Sequence, residues 1–280
     1  MKKRLVLVPA LVLLLVSATD AEPPFFVVEP AQPSQGDIVR VSISLPPSVR
    51  EGTVTLAGRT FKGFATGGGL TAYAGIDLDT KPGKTILSWT MGSQTGEREL
   101  TVKAKKFATE SLKVNSAYTD LDEATLVRVR REQEVLKRLW KTSTEERLWR
   151  KSFVKPADGP PGSPFGLRRF FNGEPRSPHA GLDIKAHAGS EVFATNSGKV
   201  VLSADLFFTG NTVIIDHGLG LYTIYAHLSR SYVGNQDSVD RSQLIGRVGA
   251  TGRVTGPHLH WGVKLGGARV DPAMLPGLLL

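Results

Sequence analysis

The 280-residue chain contains no cysteine. This absence excludes disulfide bonds and lipid-modified cysteines, and it removes the thiol as a catalytic nucleophile. The sequence also lacks the Gly-x-Ser-x-Gly turn that presents the serine of many hydrolases, and the His-Glu-x-x-His pattern of helical zinc sites. A hydrolase built from this chain would therefore need a different set of metal ligands, or a serine triad without that turn.

A long hydrophobic run is missing as well. The apolar stretch at residues 5–16 is shorter than the roughly 20 residues that a membrane-spanning helix needs. It follows basic residues at 2–4 and precedes small residues at Ala18 and Ala21, which is the pattern of a secretory signal. Residues 1–21 are therefore predicted to be a signal peptide, and the mature protein is expected in the periplasm or cell envelope without stable membrane insertion. An uncleaved signal that serves as an anchor is the alternative.

The net charge is strongly positive, at +9. Such a surplus favours anionic partners, among them nucleic acids, membrane surfaces and cell-wall polymers. A predicted export signal argues against nucleic acid as the partner. The surplus is then best explained by attraction to anionic polymers of the envelope, or by solubility alone.

Residues 22–106 are predicted to form a small immunoglobulin-like β-sandwich. Apolar and polar residues alternate at 39–45 and 100–104, and turn residues cluster at 67–69 and 81–83. Short strands with this spacing are typical of a sandwich. Because the region contains no histidine and only scattered carboxylates, it is interpreted as a structural or positioning module.

A helical linker is predicted for residues 107–154. Apolar residues recur at helical spacing across 120–141, with charged residues between them, as in an amphipathic helix. Thr142-Ser-Thr-Glu145 matches a capping box and predicts a second, short helix toward Trp149. Burial of the apolar stripe within this chain is favoured over its use as a surface for a partner.

Residues 155–280 are predicted to form an antiparallel β domain with a groove. The region begins after prolines and glycines at 156–164 and is rich in glycine and β-branched residues. Its predicted strands are 192–194, 198–202, 212–215, 222–225, 243–246 and 259–263. A flat β floor suits an extended peptide, with 168–177 and 207–211 as walls. Arg168 and Arg169 are candidates for contact with a substrate carboxylate, although solvent-facing arginines are commoner.

Four histidines and one aspartate form the most informative pattern in this region. His258 and His260 are two residues apart, so on a strand both imidazoles project from the same face. His179 and Asp183 flank a predicted loop-to-strand transition, and His227 lies in a β-patterned stretch. A catalytic zinc site typically takes three ligands from histidine and carboxylate and leaves a fourth position open. The five residues are therefore candidates for three ligand positions and for acid/base groups.

The remaining two histidines are predicted to be structural. His217 follows a β-like run and precedes Gly218, which indicates a turn at the end of a strand. His187 lies among small residues and is predicted to be an exposed loop residue.

The sequence around the histidine pattern resembles the M23, or lysostaphin/LytM-type, zinc metallopeptidases over about residues 155–275. The resemblance rests on His179-Ala-Gly-Leu-Asp183, on Tyr222-Thr-Ile-Tyr-Ala-His-Leu228 and on Thr255-Gly-Pro-His-Leu-His-Trp261. Shorter matching stretches lie at 163–168, 210–218 and 249–252. Members of the family cleave peptide bonds in bacterial cell-wall peptidoglycan.

The resemblance implies that His179, Asp183 and His260 bind Zn²⁺, while His227 and His258 flank the attacking water and the scissile carbonyl. It implies an antiparallel β peptidase domain with a zinc groove. It further implies an exported zinc metalloendopeptidase that hydrolyses peptide cross-links of peptidoglycan by a metal-activated water. Direct cross-links through meso-diaminopimelate are the expected substrate.

Other functions stay open at the level of the sequence. A non-catalytic peptidoglycan-binding regulator of other cell-wall hydrolases would share the domain, but such regulators have lost the metal ligands, which are all present here. A phosphocarrier with paired histidines is disfavoured by the predicted export. The order of the domains also raises the hypothesis that the N-terminal modules occlude the groove.

Overall fold

The computed structural model describes residues 26–44, 51–113 and 121–278. The predicted signal peptide lies outside the described residues. In the part of the chain that is described, no helix has the length and apolar character needed to cross a membrane. The described chain is mainly β and its two large sheets are antiparallel, which confirms the predicted fold class.

The N-terminal region folds into an immunoglobulin-like sandwich, as predicted. The spatial order of its strands is β1-β2-β5-β4-β3-β6-β7, all antiparallel. The groups 1-2-5-4 and 3-6-7 correspond to the two sheets of a constant-type immunoglobulin domain. β4 joins them, since its first half pairs with β3 and its second half with β5. The bounds are β1 (Phe26–Glu29), β2 (Ile38–Ile43), β3 (Gly52–Leu56), β4 (Arg59–Thr66), β5 (Gly69–Gly75), β6 (Gly83–Met91) and β7 (Gln94–Val102).

Two elements follow the sandwich, and the C-terminal domain contains the remaining strands. The connecting elements are β8 (Thr109–Leu112) and α1 (Glu123–Leu139). The later strands are β9 (Arg168–Phe171), β10 (Glu174–Pro175), β11 (Gly181–Ile184), β12 (Glu191–Phe193), β13 (Gly198–Leu206), β14 (Gly210–Asp216), β15 (Leu221–Ser231), β16 (Ser238–Val239), β17 (Leu244–Val248), β18 (Leu259–Leu265) and β19 (Ala268–Val270), before a 3-10 helix, Pro272–Gly277. Each strand predicted in this domain is confirmed.

A large sheet forms the floor of the C-terminal domain, in the order β11-β18-β15-β14-β13-β16. β17 pairs with β12 and β15, and β19 pairs with β18. A second, small sheet has the order β10-β9-β8. In it, β8 pairs in parallel with β9, so the segment after the sandwich contributes a strand to the C-terminal domain.

The amphipathic helix is confirmed as α1. Asp122 caps it by accepting a hydrogen bond from the amide of Thr125 at 2.7 Å. Leu139 belongs to a buried cluster with Leu202 of β13 and Tyr222 of β15, so the apolar stripe covers the large sheet. Burial within the chain, the favoured interpretation, is what the structure shows.

The prediction of a second helix from the capping box at 142–145 is wrong. The polar groups that would cap it bind the buried Asp216 instead. The Ser143 hydroxyl donates to one carboxylate oxygen at 3.0 Å, and the Thr144 amide donates to the other at 2.7 Å. The Leu148 amide donates to the carbonyl of His217, which holds the segment along the sheet. Tertiary hydrogen bonds have thus replaced the local capping signal.

The sandwich and the C-terminal domain share one hydrophobic core. Buried side chains from both regions form a single cluster. At the join, Gly75 of β5 lies so close to β19 that an added Cβ would be 3.0 Å from both Ala268 and Val270. A side chain at this position would require β19 to shift by a few tenths of an ångström.

Ion pairs reinforce the join. Arg269 of β19 contacts Asp77 at 2.6 Å and Asp79 at 2.8 Å, and Asp79 also contacts Arg168 of β9 at 2.8 Å. Burial by itself would raise the pKa of Asp77. Hydrogen bonds from the Arg269 side chain and amide and from the Asp79 amide outweigh it and lower the pKa of Asp77 to about 2.

Asp77→Asn should lower the free energy of unfolding by about 1–2 kcal/mol at pH 7, after allowance for solvent screening. The carboxylate stabilises the fold only when ionised. Its contribution is therefore complete above the unfolded pKa of about 4 and is lost as the pH falls through about 2. Urea denaturation of the wild type and the variant between pH 2 and pH 7 measures the effect.

The matched control is Glu99→Gln, because Glu99 pairs with Lys84 on the exposed surface. This change should cost less than about 0.5 kcal/mol. A stability difference between wild type and Asp77→Asn that stays constant with pH would contradict the prediction.

Candidate functional site

The pairing of β11 with β18 brings together three of the predicted site residues. Asp183 lies directly opposite His260 in the antiparallel register, so both side chains share one face of the sheet. His179 precedes β11. Its Nε2 lies 2.9 Å from Nδ1 of His260 and 3.0 Å from Oδ1 of Asp183. His260 Nδ1 is also 3.0 Å from that carboxylate oxygen.

These three donor atoms fit a metal ion. All lie within 4.8 Å of one another. Nδ1–H of His179 donates to the carbonyl of Pro164 at 2.9 Å, so Nε2 is the nitrogen that faces the other two donors. Burial would raise the pKa of Asp183, but hydrogen bonds from His179 and His260 outweigh it and hold this pKa well below its usual range. Two imidazole nitrogens and an ionised carboxylate form a donor set typical of zinc.

A glycine within the motif makes room for this arrangement. Gly181 lies between His179 and Asp183 and packs against the ring of His260. An added Cβ at Gly181 would be 2.6 Å from Cε1 of that ring. Any side chain here would displace a metal-ligand candidate.

His258 and His227 lie beside the three candidates. Nδ1–H of His258 donates to the carbonyl of Gly256 at 2.9 Å, and its Nε2 is 3.7 Å from Oδ1 of Asp183. Nδ1–H of His227 donates to the carbonyl of Thr251, also at 2.9 Å. The ring centroids of the two histidines are 4.9 Å apart. The structure therefore brings all five predicted residues together.

The backbone at His227 departs from regular β geometry. Its φ of +63° lies in the left-handed region, which few residues other than glycine adopt. The register between β14 and β15 shifts at this point, since Tyr225 pairs with Val213 but Leu228 pairs with Asn211. Such a bulge changes the direction of a side chain. It brings the ring of His227 to 5.9 Å from the ring of His260.

His227 is buried, so its pKa differs from that of an ordinary surface histidine. Burial lowers its pKa to about 4, because the effect of desolvation is larger than the opposing effect of the hydrogen bond to Thr251. The pKa of His260 is also lowered, again mainly by burial. Both imidazoles are thus neutral near pH 7, as ligands and proton acceptors must be.

The two histidines that were predicted to be structural lie away from this cluster. His217 follows β14 and is fully buried. Its Nδ1–H donates to the carbonyl of Ser197 at 2.8 Å, and its Nε2 lies 2.7 Å from the Thr223 hydroxyl oxygen. Burial lowers its pKa to about 4. His187 is exposed in the loop after β11, as predicted.

The predicted contact of Arg168 and Arg169 with substrate is not supported. Arg168 is held by Asp79, and Arg169 Nε lies 3.2 Å from Glu110. Both guanidinium groups thus pair with carboxylates of this chain. Sequence reasoning missed the loop carbonyls of Pro164, Thr251 and Gly256, which orient the rings of three predicted site histidines. No local pattern in the sequence marks such carbonyls.

Comparisons with known proteins identify the family of this chain. Residues 177–272 match the family model described as peptidase family M23. A crystal structure of a Pseudomonas aeruginosa protein described as a peptidase M23 is 31% identical, with a TM-score of 0.70. The alignment covers 89% of this chain and 96% of that one. This chain belongs to peptidase family M23. The resemblance found in the sequence is therefore confirmed.

Curated M23 relatives match over a shorter length. Peptidoglycan DD-endopeptidase ShyA of Vibrio cholerae is 41% identical over 95 residues, which are 34% of this chain and 22% of ShyA. DD-carboxypeptidase/endopeptidase Mpg of Neisseria meningitidis is 39% identical over 110 residues, which are 39% of this chain and 25% of Mpg. The chain thus matches about a quarter of the length of these relatives.

This M23 chain should bind one Zn²⁺. His179→Ala or His260→Ala should weaken zinc binding by more than about 100-fold, because each change removes one of the nitrogen atoms that would bind the ion. Competition with a chromophoric chelator measures the affinity. His187→Ala is the matched control and should bind as the wild type does. Equal weakening by His187→Ala, or a wild type that takes up no zinc, would refute the assignment of the ligands.

His217→Ala should lower the free energy of unfolding by about 2–4 kcal/mol, because it removes a buried ring that has hydrogen bonds at both nitrogens. The zinc affinity of the folded variant should stay unchanged. Urea denaturation of the metal-free protein and the chelator competition measure the two quantities. A stable variant that has lost zinc would show that His217 belongs to the metal centre.

Proposed function

We propose that this protein is a zinc metalloendopeptidase that hydrolyses peptide cross-links of peptidoglycan. The observation that supports this function most is the convergence of His179, Asp183 and His260, whose donor atoms are 2.9–3.0 Å apart. His227 and His258 adjoin this group. A regulator that only binds the cell wall has no need of such an arrangement.

In this proposal His179, Asp183 and His260 hold Zn²⁺. The bound ion would polarise the scissile carbonyl and lower the pKa of a water molecule to about 7. The carbonyl of Pro164 fixes the tautomer and the orientation of His179. Asp183 supplies the single negative charge of the ligand set, and its low pKa keeps that charge in place.

His227 and His258 are proposed as the groups that move protons. Each donates Nδ1–H to a backbone carbonyl, so each directs Nε2 into the site. A neutral imidazole accepts a proton at Nε2, and the resulting imidazolium donates it from the same atom. One of the pair can take the proton of the attacking water at Nε2, and the imidazolium so formed donates that proton toward the nitrogen of the scissile bond. The proton then passes to the leaving amine, and no covalent intermediate is required.

The proposed substrate is supported by relatives and by charge. ShyA and Mpg are a peptidoglycan DD-endopeptidase and a DD-carboxypeptidase/endopeptidase. A net charge of +9 suits the anionic polymers of the cell envelope. The proposal also includes the domain organisation: a signal peptide at 1–21, a sandwich at 22–106, a helical linker at 107–154 and a peptidase domain at 155–280. The proposed location is the periplasm or cell envelope.

Purified peptidoglycan incubated with the zinc-loaded protein should lose cross-linked dimers and gain monomers, which mass spectrometry of the muropeptides measures. His227→Ala and His258→Ala should each lower turnover by about 100-fold or more while zinc stays bound, because general acid/base groups typically contribute that much. His187→Ala should retain activity. The masses of the products identify the bond that is cleaved.

Chelation should abolish turnover, and added zinc should restore it. If the wild type binds zinc and leaves the dimers intact, the chain is a wall-binding regulator and the proposed function is wrong.

A further inference from the structure

The helix α1 contacts the β13–β14 turn, residues 207–209, and this turn contacts His227. We propose that Glu132 of α1 is a positioning residue, which holds the turn and thereby sets the backbone and the ring of His227. The inference rests on the proposed function and adds a residue from outside the stretch 177–272 that matches the family model. Glu132 is not a catalytic residue in this proposal, because it acts through the turn.

Glu132 binds the first residue of the turn. Its Oε2 accepts the amide hydrogen of Phe207 at 2.9 Å. Its Oε1 lies 2.7 Å from Nε of Arg128, one helical turn earlier, which fixes the orientation of the carboxylate. Only 16% of the Glu132 side chain is exposed. A sheltered carboxylate that accepts from a backbone amide contributes more than an exposed ion pair does.

Arg128 attaches the same helix to the end of β13. Its Nη2 lies 3.0 Å from the carboxylate of Asp205 and 3.3 Å from the carbonyl oxygen of that residue. The guanidinium carbon lies 6.0 Å from the ring centroid of Phe207. Because 46% of the Arg128 side chain is exposed, water screens these contacts, and Glu132 contributes most of the attachment.

The last residue of the turn binds the backbone of His227. The carbonyl of Thr209 accepts the amide hydrogen of His227 at 2.8 Å. At His227 the φ angle is +63°, and a left-handed conformation of this kind persists only where the surrounding structure holds it. The Thr209 carbonyl is therefore one of the contacts that keep His227 in its unusual backbone conformation.

The chain next to the turn also holds the carbonyl that orients the His227 ring. This carbonyl belongs to Thr251. The Thr251 hydroxyl accepts the amide hydrogen of Asn211 at 2.9 Å and donates to the carbonyl of Leu228 at 2.8 Å. Gly210 lies so close that an added Cβ would be 2.3 Å from the carbonyl carbon of Thr251. A displacement of the turn would therefore displace Thr251, and with it the acceptor of Nδ1–H.

Both contacts that position His227 thus depend on one turn, and α1 fixes the other side of that turn. Proton transfer needs Nε2 within hydrogen-bond distance of its partner, and a misplacement of about 1 Å can cost about 100-fold in rate. Zinc binding should be less sensitive, because the Pro164 carbonyl and the pairing of β11 with β18 belong to other parts of the domain. Loss of Glu132 should therefore slow the reaction and leave the metal in place.

The main variant is Glu132→Ala, assayed in the zinc-loaded protein on a purified cross-linked muropeptide dimer. It should lower kcat by about tenfold or more, while KM and the zinc affinity change by less than about twofold. Glu132→Gln should recover most of kcat, because its side-chain oxygen can still accept from the Phe207 amide. The matched control is Glu134→Ala on the same helix. Because 64% of the Glu134 side chain is exposed, this variant should keep full activity.

Two further variants test whether the effect passes through His227. In a His227→Ala background, Glu132→Ala should cause no further loss of kcat, because the group that it positions is already absent. Thr251→Val removes the hydroxyl that links the Asn211 amide to the Thr251 segment but keeps the backbone carbonyl. It should reproduce the loss of kcat without a change in α1, so the inference stays testable if Glu132→Ala does not fold.

Amide hydrogen exchange, followed by NMR, reports on the turn without turnover. In Glu132→Ala the exchange rate of the His227 amide should rise at least about tenfold more than the rates of the β18 amides, because the opening is local. Equal acceleration of all these amides would show that Glu132 only stabilises the fold, and it would overturn the inference.

An unchanged kcat in Glu132→Ala would retain the proposed function and reject the positioning role. The same fractional loss with and without the His227 ring would reject it as well, and so would a loss in Glu134→Ala equal to that in Glu132→Ala. If the wild type cleaves no dimer, the proposed function is wrong, and the exchange rates alone decide whether Glu132 holds the backbone of His227.

Discussion

The site depends on the register between β11 and β18, which sets Asp183 opposite His260. Because side chains alternate between the faces of a strand, a slip of one residue would turn His260 into the core. Leu259 and Trp261, its neighbours on β18, prevent this slip, since both are almost completely buried. The same apolar core that stabilises the fold thus keeps the metal-ligand candidates on the open face of the sheet.

Backbone carbonyls determine how the histidine rings are oriented. Pro164, Thr251 and Gly256 accept Nδ1–H from His179, His227 and His258, and all three carbonyls belong to loops rather than strands. The walls of the groove therefore determine which nitrogen of each ring faces the site. The chemistry of the imidazoles and the shape of the groove are set by the same loops.

The sandwich supports one of these walls. Its Asp79 binds Arg168, at the start of the β9–β10 hairpin, and β8 adds a strand to that hairpin. The contacts between the domains include those of Arg269, of β19 and of this hairpin, whereas the backbone carbonyls that orient the site histidines lie in the C-terminal domain. In the described residues the N-terminal domain thus braces the hairpin that forms one wall of the groove.

The sequence by itself determined the fold class, the main strands of the C-terminal sheet, the helix α1 and the five candidate site residues, because alternation, helical spacing and the histidine motifs are local patterns. Tertiary structure decided the rest. Long-range hydrogen bonds to Asp216 hold the segment of the capping box in an extended conformation. Carboxylates of this chain form ion pairs with Arg168 and Arg169. Regular alternation along β15 would direct His227 away from the site, and only the bulge and the left-handed backbone bring it back. Such partners are distant in sequence, so no local pattern encodes them.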